Sequence, residues 1–596
     1  NGSWKNNVLD VADDENQAIH MKQSEETTAI SKVNGGNDYI YNKVYIDAFN
    51  AVSQGSGRTY PDARAKMFHS LSEGLVWWNY TGHASPNGWT GEGLLTSPDV
   101  SNNLFYKRLP ILYAATCEFT RFDALNLSGG EKMFLNGQGG AIALIRPPRL
   151  VYITQNGDLH KRVAKYTFAR DAEGMPHRLG DILRWGKNDY RKATSAGHED
   201  NNMRYFLFGD PAMRPAFAPL KIKVESINGQ QLSEDNKPEF KARQTLTFAG
   251  KVTDSKGNKV DFNGPVIATL YDCEQSVLSH GYGDGGEEYT YLDRPNKLAV
   301  KVDTVKNGDF SFKVTVPSEI LATFDNYSPS LINLYAYDNS QTSNVKFNGG
   351  SREAMGSNSQ FYIYGYDDTV VPDTIGPNIE MMVLNGEEFK DGDLVNESPL
   401  LMARVSDESG INLSSSGIGH AITLTIDDKT TIDDLSAYFS PINTDNENGS
   451  AGNINYQLSD LDPGAHTLKL KVWDVFNNSS SKTINFTVIR GMKPDLYDVY
   501  CDANPASTSA NFYLKHNRPD ATVTVGIDIY NLLGQLVWTA TQTGRSDSGT
   551  SFPVTWNLTD MNGNRVQRGI YIYRARISTD GIQEATKAKK IAVTAQ

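Results

Sequence analysis

Two residues of this 596-residue chain, His83 and Cys117, have the side chains of a base and a nucleophile. Each follows an apolar run of the kind that forms a buried strand, residues 75–80 before the histidine and residues 109–116 before the cysteine. In an open α/β sheet, groups at the carboxyl ends of neighbouring parallel strands meet in one crevice. The pattern therefore predicts that the imidazole and the thiol come within reach of each other.

Such a pair has the chemistry of a cysteine peptidase. A free thiol is mostly protonated at neutral pH, and a nearby imidazole raises the thiolate fraction and later protonates the leaving amine. A single cysteine after a strand is also typical of an inert buried thiol, and a single histidine of an ordinary loop residue. Taken alone, the two residues leave both interpretations open.

Three motifs extend this pattern in order along the chain: residues 79–83 (NYTGH), residues 115–117 (ATC) followed by 122–123 (FD), and residues 208–211 (FGDP). Together they resemble the gingipain family of caspase-like cysteine peptidases. The resemblance implies that His83 is the catalytic histidine and that Cys117 is the nucleophile. It also implies a caspase-like α/β/α fold for the region that carries the motifs.

The same resemblance implies an oxyanion hole made by the backbone N–H groups of Ala84 and Cys117. Gingipains usually have glycine directly after the histidine, whereas this chain has Ala84. Alanine still supplies an N–H group but does not readily adopt a positive φ. Substrate is therefore expected to approach the oxyanion hole differently in this chain.

An acid that orients the imidazole is a further part of the gingipain pattern, and Asp13 and Asp14 are the candidates for it. They follow the predicted strand at residues 8–12. Such an acid mainly fixes the tautomer of the histidine. Two aspartates after a strand are also typical of a solvated turn, and the acid of the family lies nearer to the histidine than these do.

Length and composition limit the class of protein. A chain of this length is expected to form about three to five domains. With 21% charged residues and a net charge of -13, it lacks the concentrated positive charge that nucleic acid binding requires. No run approaches the roughly 18 apolar residues needed to span a bilayer. The three cysteines lie in three different predicted domains, so no disulfide framework is expected.

Residues 1–218 are predicted to form the α/β/α catalytic domain. The chain begins at Asn1 without an initiator methionine and enters a core strand almost at once, so the N-terminal part of this domain is expected to lie upstream. Helical spacing at residues 45–52, 63–71, 159–170 and 179–191 alternates with strands. That alternation predicts a parallel sheet with helices on both faces.

After residue 218 the helical period gives way to strand alternation, which predicts immunoglobulin-like β-sandwiches at residues 219–372 and 373–490. Two acidic loops in the second of these, residues 407–410 and 445–448, have the ligand types that calcium prefers. Because neither matches a complete ligand loop, structural calcium remains one alternative and a solvated turn the other. The thiol chemistry itself requires no metal or other cofactor.

The last domain, residues 491–596, carries a second resemblance. Its marks are the Asn-Pro pair at 504–505, the strand and turn at 523–534, the turn at 560–563 and the strand at 568–573. They resemble the C-terminal β-sandwich that addresses proteins to the type IX secretion system of Bacteroidota. The alternative is one more sandwich without that role.

The full layout resembles that of the sortase of this secretion system. The resemblance implies an enzyme that removes the C-terminal signal domain of cargo proteins and couples the new C-terminus to anionic lipopolysaccharide through a cysteine thioester. It implies a location on the extracellular face of a Gram-negative outer membrane, held by an outer-membrane β-barrel of the PorV type. The alternatives are a secreted endopeptidase with a disposable C-terminal address and a non-catalytic surface adhesin.

Overall fold

The computed structural model describes residues 2–594 with the exception of 56, 103, 105, 138, 194–198, 324–326, 340–351, 415, 418, 445, 520, 547, 548 and 580–582. Asn1 of the first predicted domain and Asp445 of the second acidic loop therefore lie outside the described residues. The chain is mostly β, with 43% strand and 16% helix. It divides into two compact units, one made of Asn1–Thr374, Glu408–Gly419 and Asn443–Ser450, the other of Ile375–Asp407, His420–Ile442 and Ala451–Gln596.

A six-stranded sheet forms the centre of the N-terminal domain. Its strands are β1 (Asn7–Ala12), β2 (Ile40–Tyr45), β3 (Trp77–Thr81), β4 (Ile111–Ala115), β5 (Ala143–Arg146) and β6 (Phe206–Phe208). They lie in the order β6-β5-β4-β3-β1-β2, and only β6 runs antiparallel to its neighbour. This confirms the parallel sheet that the alternation of strands and helices predicted.

Seven helices accompany this sheet in the described part of the domain: α1 (Ile19–Ser31), α2 (Pro61–Glu73), α3 (Ser97–Asn102), α4 (Gly129–Leu135), α5 (Ile153–Thr167), α6 (Leu179–Ala193) and α7 (Glu199–Met203). Both faces of the sheet are covered. Trp77 packs in an apolar cluster with residues of α5 and α6, whereas its neighbour Trp78 packs on the opposite face with residues of α2. Successive strand residues point to opposite faces, so the fully buried strands β3, β4 and β5 contribute to two cores.

One predicted helix, at residues 45–52, is wrong. The segment contains the end of β2, a single 3-10 turn (Ile46–Ala48) and the start of a short strand (Val52–Gln54), which pairs with Gly57–Thr59. Strand pairing holds both ends of the segment, because Tyr45 lies opposite Ala12 of β1 and Val52 lies opposite Thr59. Helix α1, which has no clear apolar face in the sequence, was not predicted.

The first β-domain follows residue 218. Its main strands are Leu220–Ile227, Thr245–Thr253, Gly264–Tyr271, Lys297–Val305, Asp309–Thr315, Leu331–Tyr337 and Glu353–Asn358. They belong to one continuous sheet and share one apolar core. A two-stranded hairpin projects from this domain, with strands Gln275–Leu278 and Thr290–Asp293, and we call residues 275–293 the docking hairpin.

The second compact unit holds two further β-domains. The earlier one has a sheet of Asn378–Leu384, Leu400–Asp407, Ser450–Gln457 and Phe439–Ile442, and a sheet of Leu394–Val395, Ser479–Val488, Gly464–Trp473, Thr423–Ile426 and Thr430–Ile432. The C-terminal one has a sheet of Leu496–Cys501, Ala510–His516 and Val554–Trp556, and a sheet of Leu536–Arg545, Thr522–Tyr530, Gly569–Thr579 and Gln583–Val593. The domain borders at residues 218, 372 and 490 stay predictions.

The cysteines are free thiols, as predicted. Cys273 is buried, and Cys117 and Cys501 are half-buried. Among the described residues, no helix is both long and apolar enough to cross a membrane.

Candidate active site

His83 and Cys117 occupy matching positions on neighbouring parallel strands. Strands β3 and β4 are paired with Thr81 opposite Ala115, and each candidate residue comes two positions later. The pairing continues past the strand ends, because the N–H of Gly82 donates to the carbonyl oxygen of Ala115 at 3.3 Å. The predicted strand arrangement is therefore confirmed, and both residues lie at the same edge of the sheet.

The thiol of Cys117 is half-buried and donates to the carbonyl oxygen of Val151, with 3.6 Å between sulfur and oxygen. Burial raises the pKa of this thiol above its ordinary value, and the charge of Glu118 raises it further. The charge of Arg204 acts in the opposite direction. The thiol is thus held in its protonated form in this structure, in contact with the backbone and not with the imidazole of His83.

The chain turns sharply directly after Cys117. Glu118 has a φ of 38°, a left-handed conformation that residues other than glycine seldom adopt. The N–H of Phe119 approaches the carbonyl oxygen of Cys117 to 2.5 Å, and the ring of Phe119 is fully buried. Strained turns of this kind persist only when surrounding packing holds them, and they are common at functional sites.

The imidazole of His83 is held by the loop between β1 and α1, residues 13–18. Its Nε2 lies 2.5 Å from Oδ1 of Asn16 and 3.8 Å from Oε2 of Glu15. An amide oxygen only accepts, so Nε2 carries the hydrogen and Nδ1 is the basic nitrogen of this tautomer. The His83 side chain is 42% exposed, so the ring is accessible to solvent.

The predicted acids, Asp13 and Asp14, lie next to His83 but contact other groups. Oδ2 of Asp13 accepts from the backbone N–H of His83 at 2.8 Å. Oδ2 of Asp14 accepts from the Arg58 guanidinium at 2.8 Å and from the Tyr60 hydroxyl at 2.6 Å. Asp13 therefore fixes the backbone of the histidine, whereas Asn16 and Glu15 lie next to its Nε2.

Three carboxyl groups lie close together here, those of Asp13 and Asp14 in the loop and that of Glu92 beside it. Burial raises the pKa of Asp13 well above its ordinary value, and the charges of Asp14 and Glu92 add to the effect while the contact with the His83 N–H opposes it. Glu92 also lines a cavity of 270 Å³ together with Thr59, Tyr60, Pro61, Arg64, Gly93 and Leu94. The backbone and ring of His83 therefore lie beside several carboxyl groups, of which Asp13 and Asp14 are buried.

His20, at the start of α1, lies against the candidate base. The two imidazoles meet edge to face with 5.2 Å between centroids, and Nε2 of His20 is 3.2 Å from Oδ1 of Asn16. Burial, with a contribution from the charge of His83, lowers the pKa of His20 to about 3, so its ring is neutral. Two groups here could hold a metal ion, since each places its donor atoms within 4.8 Å of one another: Asp13, His20 and His83 in one, and Asp13, Asp14 and Glu92 in the other.

Sequence reasoning missed Glu15, Asn16 and His20. The run from Asp13 to Asn16 is typical of a solvated turn, and nothing in its composition shows that the turn is buried. The unusual conformation of this loop is visible only in the structure, where Asn16, Gln17 and Ala18 have consecutive φ values of 59°, 56° and 58°. Three left-handed residues in a row require tertiary support.

The remaining predicted site features are the oxyanion hole and the acidic loops. Ala84 opens a two-residue strand, Ala84–Ser85, that pairs with Gly88–Trp89. The oxyanion role of the Ala84 and Cys117 N–H groups stays a prediction. So does calcium binding at the acidic loops, in one of which Glu447 forms an ion pair with Lys313 at 2.9 Å.

Comparison with known proteins adds three findings. Residues 1–216 match the sequence profile of peptidase family C25. Dimeric latent PorU from Porphyromonas gingivalis is 24% identical, with 99% of this chain and 64% of that chain covered at a TM-score of 0.31. The complex of the pro- and mature domains of RgpB from Porphyromonas gingivalis is 14% identical, with 61% of this chain and 69% of that chain covered at a TM-score of 0.31.

The chain thus spans 64% of the length of the PorU structure that it matches. No curated protein sequence matches this chain. Over residues 1–216, the chain matches peptidase family C25, the gingipain family that the motifs around His83 and Cys117 predicted.

Proposed function

We propose that residues 1–218 form a caspase-like cysteine peptidase domain in which Cys117 is the nucleophile and His83 is the base. The observation that carries this proposal is the register of β3 and β4, which sets the two residues at equivalent positions on adjacent strand ends. The strained turn at Glu118 and the match to peptidase family C25 support it.

The contacts of His83 suggest how the reaction begins. Asn16 accepts from Nε2–H and leaves Nδ1 free to take the proton of the Cys117 thiol. The carboxylate of Glu15, 3.8 Å from Nε2, stabilises the imidazolium that forms. Because burial favours the protonated thiol, substrate binding must draw Sγ away from the Val151 carbonyl and towards the imidazole. Such contacts commonly shorten only in the substrate complex.

The thiolate of Cys117 then attacks the scissile carbonyl carbon, and a new S–C bond forms. The negative charge moves to the carbonyl oxygen. The backbone N–H groups of Ala84 and Cys117 are the proposed hydrogen-bond donors to this oxyanion. When the C–N bond breaks, the imidazolium of His83 protonates the leaving amine and a thioester remains. Water or an amine resolves the thioester and gives its proton to His83, which returns it to the sulfur.

At the level of the whole chain, the proposed reaction is that of a type IX secretion sortase. The substrates are the C-terminal domains of secreted cargo proteins, and an amine of anionic lipopolysaccharide is the acceptor. The motifs of residues 491–596 support this proposal, because a chain with its own address-like domain can bind where cargo arrives.

The C-terminal β-domain has a surface suited to binding a partner. Leu532, Leu533 and Leu536 are exposed at the turn between Thr522–Tyr530 and Leu536–Arg545, and Leu533 is 85% exposed. Exposed apolar side chains of this kind mark interaction sites. They support the proposal that an outer-membrane β-barrel of the PorV type holds the protein on the extracellular face of the outer membrane.

One observation favours an alternative without catalysis. The Cys117 thiol contacts the Val151 carbonyl and has a raised pKa, which is also the state of a structural cysteine in a surface adhesin that has kept the fold. A secreted endopeptidase that loses its C-terminal address is the other alternative. Peptidase activity of the purified chain would distinguish the proposal from the adhesin. Retention of residues 491–596 on the mature protein would distinguish it from the secreted endopeptidase.

The decisive experiment compares wild-type protein with Cys117→Ala and His83→Ala in cells, with Cys501→Ala as the matched control for loss of a half-buried thiol. Mass spectrometry of a cargo protein then reports its C-terminus. We expect the first two variants to leave the signal domain attached, and Cys501→Ala to process cargo normally. Normal processing by Cys117→Ala would refute the nucleophile assignment, and a new C-terminus without an attached acceptor would indicate hydrolysis in place of transfer.

A further inference from the structure

The docking hairpin extends from the first β-domain to the loop that holds His83. Its connecting loop, between Gln275–Leu278 and Thr290–Asp293, contains glycine at positions 281, 283, 285 and 286. Both the hairpin and the catalytic domain belong to the same compact unit. The contacts between them are specific and fall on the residues that surround the candidate base.

Asp47 anchors the hairpin. It lies in the 3-10 turn directly after β2 and is 1% exposed. Its carboxylate accepts from the backbone N–H of Gly281 at 2.8 Å and of Tyr282 at 2.7 Å, and its carbonyl oxygen accepts from the N–H of His280 at 2.9 Å. Charge-assisted hydrogen bonds to a buried carboxylate are strong, so three consecutive residues of the loop are fixed by one side of the catalytic domain.

After the residues bound by Asp47, the backbone of the docking hairpin packs directly against the β1–α1 loop. A Cβ built on Gly283 would be 1.8 Å from the carbonyl oxygen of Asp14, which no side chain can occupy. Gly285 has a φ of 88°, and a Cβ there would be 2.9 Å from Cγ of Gln17. Glycine at position 283 is therefore what permits the two backbones to approach, and the positive φ at position 285 favours glycine there.

Asp284, between these glycines, reaches the residue that contacts the base. Its Oδ1 accepts from the backbone N–H of Asn16, and the side chain of Asn16 lies on Nε2 of His83. The backbone of Asn16 has a left-handed conformation, which the sequence of the loop alone would not maintain. The hydrogen bond with Asp284 holds that conformation and thereby directs the amide at the imidazole.

We propose that the docking hairpin is a positioning element of the active site and that Asp284 is a positioning residue, which fixes the tautomer and orientation of His83 through Asn16. The inference rests on the proposed peptidase function of His83. It makes the first β-domain a functional part of the catalytic centre. A small displacement of a catalytic group can lower the rate by about two orders of magnitude, so the contact is expected to affect turnover.

The test uses the full chain with Asp284→Ala, Asp284→Asn and Asp303→Ala. Asp303 is the matched control, because its Oδ1 also accepts from a backbone N–H in the same β-domain, that of Thr304 at 2.6 Å. We expect Asp284→Ala to lower kcat by about tenfold to a hundredfold with little change in KM. Asp284→Asn retains an accepting oxygen and is expected to restore most of the rate, whereas Asp303→Ala leaves it unchanged.

A second readout does not require activity. Nitrogen chemical shifts of ¹⁵N-labelled histidine report the tautomer of His83 directly. The Nε2–H form is expected in the wild type and in Asp303→Ala, and a mixture of tautomers in Asp284→Ala. An unchanged kcat and an unchanged tautomer in Asp284→Ala would overturn the proposal. If the wild type lacks peptidase activity, the proposed function fails, and the tautomer measurement alone then supports or overturns the positioning contact.

Discussion

Nε2 of His83 and Oδ1 of Asn16 are 2.5 Å apart, so an amide, and neither of the predicted aspartates, meets the ring nitrogen of the candidate base. We expect Asn16→Gly to lower kcat at least tenfold, because glycine accepts the φ of 59° without strain and removes only the side chain. Gln17→Gly is the matched control, since Gln17 has a φ of 56° in the same loop. Steady-state kinetics on a peptide substrate measure the effect, and equal loss in both variants would contradict a specific role for Asn16.

The buried state of the Cys117 thiol predicts its reactivity. Burial raises its pKa, so the thiolate fraction without substrate is small at neutral pH and grows as the pH rises through and above the ordinary thiol value. We expect alkylation by iodoacetamide, followed by peptide mass spectrometry from pH 6 to 10, to accelerate steeply with pH at this residue. Cys273, which is fully buried, should remain protected and serves as the control. Rapid alkylation at pH 6 would instead indicate a preformed thiolate–imidazolium pair.

The burial of Arg146 leads us to expect that an apolar replacement at this position stabilises the fold. Its side chain is fully buried between the rings of Phe119 and Phe208, and none of the described residues forms a hydrogen bond with its guanidinium nitrogens. Burial lowers its pKa to about 9. Because replacement of buried charge by apolar groups often stabilises by about 1 to 4 kcal/mol, we expect Arg146→Met to raise the free energy of unfolding within that range at pH 7.

The sign of the pH dependence follows from the lowered pKa of Arg146. Above pH 9 the folded state loses the proton while the unfolded state retains it, so the wild type gains stability and the advantage of Arg146→Met shrinks. Urea denaturation at pH 7 and pH 10 measures this. Arg149→Met, which removes an exposed ion pair with Asp123, is the control and should leave the free energy of unfolding almost unchanged. A destabilised Arg146→Met would indicate that the contacts of the guanidinium with the two rings outweigh its burial.

The C-terminal β-domain is predicted to act in docking and not in chemistry. Deletion of residues 491–596 should leave cleavage of a short soluble peptide largely intact, release the protein from the outer membrane and stop cargo processing in cells. Leu533→Asp is a milder variant with the same expected release, because Leu533 is 85% exposed and its replacement costs little packing. Fractionation and cargo mass spectrometry measure both effects. Recovery of a mature surface protein cleaved near residue 490 would favour the secreted endopeptidase.

Local patterns in the sequence were sufficient for much of the sheet. The apolar runs before His83 and Cys117 predicted strands at their observed places, and the alternation with helices predicted parallel pairing. The helix predicted at residues 45–52 failed because its apolar spacing fits a helix, whereas strand pairing at the two ends of the segment decides the conformation. Competition between local preference and strand pairing is not visible in a single segment.

The partners of His83 were beyond prediction for a different reason. Asn16 comes 67 residues before His83, and Asp284 lies in a different predicted domain, so the contacts depend on tertiary packing. The sequence offered Asp13 and Asp14 as candidates because they directly follow a strand. In the structure the chain continues past these aspartates into the left-handed backbone from Asn16 to Ala18. The side-chain amide of Asn16, two residues after Asp14, therefore meets the imidazole of His83.

The docking hairpin has a consequence for the order in which the chain matures. Synthesis delivers His83 and Cys117 long before Asp284, which comes 201 residues after the histidine and 167 residues after the cysteine. Until the first β-domain has closed and its hairpin has bound Asp47, the loop that carries Asn16 lacks the contact that holds its conformation. A growing or partly unfolded chain therefore contains both proposed catalytic side chains while the proposed base is not yet oriented. Maturation of the first β-domain would thus delay proteolysis until folding is complete, and the chain would be protected from its own activity during that interval.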